Sequence, residues 1–391
     1  MIDIHGAGGW LLGLAAALGF LAITGGLGLR LRFSTIPGYL LGGVILGAVF
    51  DIPETFLHIL MTLGSMLILF FVGLEFSPGS LGNRFKGLIK PAFWDGIVNI
   101  PLAVMAAFAL GMPVVAAICF ALAAYASSSA IIAKGLMDYK LIILPEAEWC
   151  LGILVIEDLV MALLLPLCVV MLGAGSLEVL AGIAATLFAG LLLLGLFVAL
   201  ARIGLVSRWL NQPEKDLTLL VSLALVCLIA GIGESSGISA AVGALLVGMV
   251  VSESDSRKKI EVLLVPHREL LAVGFFAAIG AGADWHLLAD NLGVVILLVL
   301  VTSLTKILGG YLGGRSQSMS REAAARLGLM LVPRGEFALV VAALTLGQPW
   351  GINFYNTVVA YVMVSALCGT LLIRYHRGIS RRLSLLLPGN G

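Results

Sequence analysis

The chain has 391 residues, 60% of them hydrophobic and only 12% charged, with a mean hydropathy of +1.11. A soluble domain is about half apolar and about a quarter charged, and uses that charge to cover its surface, so a soluble enzyme and a disordered chain are both excluded. The 23 basic and 22 acidic residues leave no basic excess for a nucleic acid, and the composition is that of a polytopic integral membrane protein.

A membrane-spanning helix needs about 20 mostly apolar residues. Thirteen segments are predicted: 9–29, 37–50, 58–76, 91–110, 113–134, 149–172, 177–201, 217–235, 237–252, 268–285, 292–314, 323–347 and 353–373. The apolar runs are long and lack a period of two, which selects helices over barrel strands. No basic residue precedes the first segment and no small-residue cleavage site follows it, so it reads as a retained span, not a signal peptide. With the N-terminus outside, every Lys and Arg except Lys306 and Arg334 falls on the cytoplasmic side, from Arg30 and Arg32 to Arg381 and Arg382. The opposite loops carry only acids, such as Asp51, Glu54, Glu178, Asp284 and Asp290. Such one-sidedness orients the chain in the cell (inner) membrane with its N-terminus out and its C-terminus cytoplasmic. Cys119, Cys150, Cys168, Cys227 and Cys368 lie in apolar stretches without CxxC spacing and read as small core residues.

The spans divide into a first repeat (about 9–172), a linking helix (about 177–201) and a second repeat (about 217–373), all within one transmembrane domain. A single linking span makes the second half enter from the opposite side, as in an inverted repeat. Corresponding positions agree. The second spans are rich in small residues, PGYLLGGVILGAVF (37–50) and GISAAVGALLVGMVV (237–251), and the third spans share FFVGLE (70–75) and FFAAIGAGAD (275–284). The fifth spans are both interrupted, at YASSSA (125–130) and VPRGEF (332–337). Ser127, Ser128 and Ser129 offer hydroxyls to the backbone, and Pro333 removes a donor beside Gly335. Irregular backbone at membrane depth is tolerated only inside protein or along a cavity, so the interruptions mark a transport site. Arg334 and Glu336 would compensate the opposed helix dipoles there.

Each charge near the bilayer centre costs about 2.5–3.5 kcal/mol, which makes intramembrane ionisable groups functional candidates. Glu75, Asp95 and Glu234 lie near helix ends, where reaching headgroups or water suffices. Glu75 is also a candidate, with Lys306, Arg334 and Glu336, for charge pairing within the core. Glu157, Asp158 and Lys306 lie near mid-span. Adjacent helical residues point ~100° apart, so Glu157 and Asp158 face different surroundings. Pairing with Lys306 relieves one carboxylate. The other, partly desolvated, exchanges its proton near neutral pH and holds either a proton or a monovalent cation. That competition, at a site exposed alternately to each side, suffices for cation/proton exchange, with Asp158, Glu157 and the three serines as candidate ligands. Transported K+ or Na+ and H+ are the only small ligands implied, with no cofactor. His5, His58, His267, His286 and His376 lie in loops or at span ends without an HExxH motif, and neither GxxxxGK[ST], GxSxG nor TVGYG is present. The chain is therefore read as no enzyme, ATP-driven pump or potassium channel.

The stretches LGSMLILFFVGLEFSP (63–78), SSSAIIAKGL (127–136), LVIEDL (154–159), GISAAVGALLVGMVVSES (237–254), FFAAIGAGAD (275–284) and LVPRGEFALVV (331–341) carry a family resemblance over nearly the whole chain. The sequence resembles the second branch of the monovalent cation:proton antiporters, which includes Kef-type and KhtU-type potassium/proton antiporters. The resemblance implies a sodium/proton antiporter-like all-α fold of thirteen helices, with a dimerisation domain, hence a homodimer, and a core in which helices five and twelve cross. It implies Asp158 as the carrier of cation and proton. Relatives usually have Asn, Asp or Gln where Glu157 stands, and KhtU-type members have Glu. A lysine at the place of Lys306 pairs, in electrogenic sodium exchangers, with the acid before the carrier, which leaves electroneutral and electrogenic exchange both open. Kef-type relatives carry a cytoplasmic nucleotide-binding domain after the last helix; none is expected before Gly391. Either a separate nucleotide- or pH-responsive subunit docks on the cytoplasmic face, or the chain is truncated. The basic segments 252–269 and 374–382 would then be docking surfaces, or else contacts with anionic headgroups of the bilayer. The expected activity is K+/H+ antiport, with Na+/H+ antiport as the alternative and a gated cation channel as the reading from another class.

Overall fold

The computed structural model describes residues 9–31, 33–50, 52–75, 82–141, 143–173, 214–235, 240–252 and 254–386. They form sixteen helices: α1 (Gly9–Arg30), α2 (Ile36–Val49), α3 (Glu54–Glu75), α4 (Gly82–Ala109), α5 (Val114–Tyr125), α6 (Ser129–Asp138), α7 (Pro145–Gly173), α8 (Lys215–Ser235), α9 (Ala240–Ser252), α10 (Arg257–Ala281), α11 (Trp285–Asp290), α12 (Leu292–Ser316), α13 (Arg321–Met330), α14 (Glu336–Leu344), α15 (Gly351–Arg374) and α16 (His376–Leu386). Among the described residues no strand forms beyond one isolated bridge, and six helices are long and apolar enough to cross a membrane. The predicted linking helix, 177–201, lies outside the described residues.

Two boundaries differ from expectation in a way that matters. The fourth segment, expected from residue 91, begins at Gly82, with Pro91 and Pro101 inside the helix. Prolines are accommodated in membrane helices because neighbouring elements satisfy the freed carbonyls. Segment 252–269, expected as a basic loop, is largely the first half of α10. Its Ile260 and Leu264 are buried against Phe70, Phe71, Leu74 and Val226, and that apolar stripe outweighs the charges of Arg257, Lys258 and Lys259 on the other faces. Between α4 and α5 the chain turns at Gly111, whose φ of +86° is one that glycine adopts without strain.

Packing occurs in matched sets. α1 lies on α2 as α8 lies on α9; α2 contacts α10 as α9 contacts α3; α4 contacts α5 and α7 as α12 contacts α13 and α15. At two of these crossings glycine brings backbones together. A Cβ on Gly43 would stand 2.1 Å from the Ala277 carbonyl oxygen and one on Gly280 would stand 2.2 Å from that of Leu40. Between α3 and α9, Gly73 and Gly248 do the same against Leu245 and Phe70. Small residues drive such contacts in membranes because packing, not water exclusion, holds helices together there. At the centre, α5, α14 and α15 are wrapped by other helices, with Phe120, Tyr361 and Val358 fully buried.

Candidate functional site

Both predicted interruptions are breaks in the helices. α5 stops at Tyr125 and α6 starts at Ser129; α13 stops at Met330 and α14 starts at Glu336. The unwound segments meet. The Ser128 amide donates to the Pro333 carbonyl at 2.8 Å, Ser127 forms a bridge with Arg334, and the Ser127 hydroxyl donates to the Leu331 carbonyl at 2.8 Å. Gly335 permits the approach, since a Cβ there would stand 2.4 Å from Ser128 Oγ.

Charges of the right sign sit at the freed helix ends. Arg334 Nη1 donates to the carbonyls of Leu331 and Val332, at 2.8 and 2.7 Å, closing the C-terminus of α13. Glu336 opens α14, and its Oε2 accepts from Ser128 Oγ at 3.4 Å. Ser128 Oγ also accepts from the Ile131 amide and so caps α6. A cation at a helix C-terminus and an anion at an N-terminus both oppose the local dipole.

Behind the breaks lies a cluster closed to solvent. Glu157, on α7, accepts from the Ser127 amide at 2.6 Å through Oε2 and from Lys306 Nζ at 2.9 Å through Oε1. Lys306, on α12, also donates to Asp95 Oδ2 on α4 at 2.6 Å. All three side chains have zero exposure, and Nζ stands 4.9 Å from the centre of the Tyr125 ring. Asp95 was expected at a helix end, in reach of water. It lies deep inside instead, because α4 begins well before it and packs closely on α12, where a Cβ on Gly309 would stand 2.9 Å from the Asp95 Cα. A signal was present in the sequence: Asp95 and Asn99 place two polar groups on one helical face of an apolar stretch.

Asp158 faces elsewhere. It is 4% exposed and lines a cavity of about 910 Å³ together with Ser129, Glu336, Ser34, Thr35 and Arg268. Arg268, expected in a loop, stands on the cavity wall with its guanidinium 4.5 Å above the Phe71 ring. The three serines divide their roles. Ser127 and Ser128 are engaged in joining the breaks, and Ser129 reaches the cavity. The side chains of Glu75, the last residue of α3, and of Glu234 lie outside the described residues. Cys119 and Cys168 touch at 3.4 Å as buried thiols, whereas Cys227, read as a core residue, is exposed. The arrangement offers carboxylates, a hydroxyl and an arginine around one cavity, and a separately neutralised lysine behind it.

The sequence profile for "Sodium/hydrogen exchanger, transmembrane" matches residues 17–375. The chain belongs to this family. It is 28% identical over 382 residues to the K(+)/H(+) antiporter subunit KhtU of Bacillus subtilis (strain 168), an alignment spanning 95% of this exchanger and 94% of KhtU. It is also 28% identical over 367 residues to the ammonium/H(+) antiporter subunit AmhT of Alkalihalophilus pseudofirmus, over 93% and 92% of the two chains. The structure of the sodium proton antiporter MjNhaP1 from Methanocaldococcus jannaschii superposes with a TM-score of 0.72 at 16% identity, covering 96% of this chain and 98% of that one. The exchanger therefore has an all-helical, NhaP1-like antiporter fold.

Proposed function

We propose that this chain is a secondary antiporter that exchanges a monovalent cation, K+ before Na+, for H+ by alternating access. The observation that carries the reading is Asp158, almost fully buried yet on the wall of the cavity beside the paired helix breaks. A carboxylate so placed holds a cation or a proton, and the occupant it accepts on one side decides what it releases on the other. Lys306 is already engaged by Glu157 and Asp95, so it does not neutralise the cavity. The likeness to a K+/H+ and an ammonium/H+ antiporter subunit supports a large monovalent cation.

Two inverted repeats are supported by the matched packing sets, and a linking helix at the expected 177–201 would bring the count to thirteen spans. Ser34, Thr35 and Arg268 line the cavity on the side where basic residues collect, so by the positive-inside rule it opens to the cytoplasm. A homodimer is supported by α1, whose Leu11, Leu12, Leu18 and Ile23 are exposed and available to a second copy or to lipid. A separate cytoplasmic subunit is supported by the basic α16, which packs on the half-helix α13. Lys140, Arg326, His376, Arg377 and Arg381 line a cleft of about 580 Å³ there.

The test is flux in proteoliposomes. Imposed gradients of K+, Na+ and NH4+ are each compared for the internal pH change they drive. K+-driven proton movement exceeding that with Na+ is expected. Proton movement with Na+ alone would assign Na+/H+ exchange, and cation current without proton movement would replace the antiporter by a channel.

A further inference from the structure

The cluster behind the helix breaks is short of one positive charge and one hydrogen-bond donor. Lys306 supplies a single cation to two carboxylates, Asp95 and Glu157, in a place with no solvent exposure. An unbalanced charge there is strongly disfavoured. The other buried cation among the described residues, Arg334, gives its Nη1 to the backbone carbonyls of Leu331 and Val332. The hydrogen-bond shortfall lies at the same point. Asp95 Oδ1 and Asn99 Oδ1 are both buried without a partner, and they belong to residues four apart on α4, on one face of successive turns.

The Asn99 amide cannot resolve this by turning over. Its Nδ2 donates to Thr305 Oγ1 at 2.9 Å, and Thr305 donates its own hydroxyl proton to the Thr302 carbonyl at 3.0 Å. Thr305 Oγ1 is therefore an acceptor toward Asn99, which fixes the amide nitrogen on that side and leaves Oδ1 facing away as an acceptor. Two buried acceptors facing no donor are unfavourable. One proton satisfies both and removes the excess charge.

We propose that Asp95 is a second proton site, protonated on Oδ1 and donating to Asn99 Oδ1, with Lys306 balanced by Glu157. The titratable and charged groups around it are Lys306 from α12, Glu157 and Cys150 from α7, Tyr125 from α5 and Arg334 from the second break. Loss of the proton sets Asp95 and Glu157 in competition for Lys306. Glu157 holds the Ser127 amide at the first break, so the proton on Asp95 controls how firmly that break is tied to α12. This consequence rests on the antiport reading; the protonation itself does not.

Infrared difference spectra of the purified full-length protein, titrated over pH with and without ¹³C-labelled aspartate, test the site directly. A protonated-carboxyl stretching band that shifts with the label is expected at neutral pH. It should survive Asp158→Asn and vanish in Asp95→Asn, which keeps the shape and hydrogen bonding of the protonated acid. Asn99→Leu, which removes the acceptor, should move loss of the band to lower pH. Thermal melting identifies any variant that fails to fold, and Asn99→Leu then stands in for Asp95→Asn. Absence of the band in the wild type, its persistence in Asp95→Asn, or no shift in Asn99→Leu would overturn the proposal. Failure of the flux assay would strike at antiport and leave this band unaffected.

Discussion

Glu157 accepts the backbone amide of Ser127 at 2.6 Å with one carboxylate oxygen and holds Lys306 at 2.9 Å with the other. The residue thereby ties an intact helix, α12, to the unwound start of α6. Removing one partner of a buried ion pair costs about 3–5 kcal/mol, because the other charge is left uncompensated. Lys306→Ala should therefore lower the thermal melting point markedly. Glu157→Gln should be milder, since Asp95, already in contact with Lys306, then releases its proton and becomes the counter-charge. The double variant Glu157→Gln/Lys306→Ala should recover part of the loss. Melting curves of the four proteins form a double-mutant cycle, and additive effects would remove the pair from the account.

Asp158 and Ser129 share the cavity wall, and of the two only the carboxylate can carry charge between the two sides of the membrane. Asp158→Asn should abolish cation-driven proton flux in proteoliposomes while insertion, elution and melting stay near wild type. Ser129→Ala should weaken apparent cation affinity without abolishing turnover. Retained proton-coupled exchange in Asp158→Asn would rule out Asp158 as the carrier.

What the sequence made legible depended on how local the determining physics was. Helix breaks are written in adjacent residues, Ser127 to Ser129 and Pro333 to Gly335, so their positions could be read directly. That Lys306 meets one of the two mid-span carboxylates followed from charges needing each other, and the family resemblance pointed to Glu157 as that partner. The depth of Asp95 is not local, because it is set by where α4 begins, and residues 82–90 contain Arg84, Lys86 and Lys90, which read as loop. The helical course of Arg257–Glu269 was hidden for a related reason. Charges on three faces masked an apolar stripe, Ile260 and Leu264, that acquires a partner only when α3 packs against it. The cavity itself is a product of tertiary packing. Residues as distant as Ser34, Asp158 and Arg268 line it together, and no local pattern announces that.

The α2–α10 crossing yields a prediction about packing. Gly43 lies so close to α10 that an added Cβ would overlap the Ala277 carbonyl. The obstructing atom is backbone, so a whole helix must move to make room. Overpacking of this kind typically costs about 1–3 kcal/mol. Gly43→Ala should lower the melting point, and Gly43→Val should lower it further. Gly19→Ala on α1, where nothing lies within 4 Å, is the control and should be neutral. Equal effects at the two positions would show that the crossing is looser than the structure has it.

Docking of α16 is expected to depend on pH through His376. It is buried where α15 hands over to α16, with Nδ1 2.9 Å from the Ile373 carbonyl oxygen. Burial holds its pKa below the ordinary 6.5, and Arg377 and Arg326 act in the same direction, against the Ile373 hydrogen bond and Glu146. The folded state therefore binds fewer protons than the unfolded one, and stability rises with pH in the interval between the two values. The contribution is fully present above pH 6.5 and is lost as pH falls through the lower, folded value. Hydrogen exchange of the α16 amides, corrected for the intrinsic pH dependence of exchange, should show protection declining on acidification. His376→Gln keeps a polar group near Ile373 but does not titrate, and should flatten that decline. If the profile is the same in the variant, the pH response belongs to another group, and the basic cleft around Arg377 and Arg381 is held in place without His376.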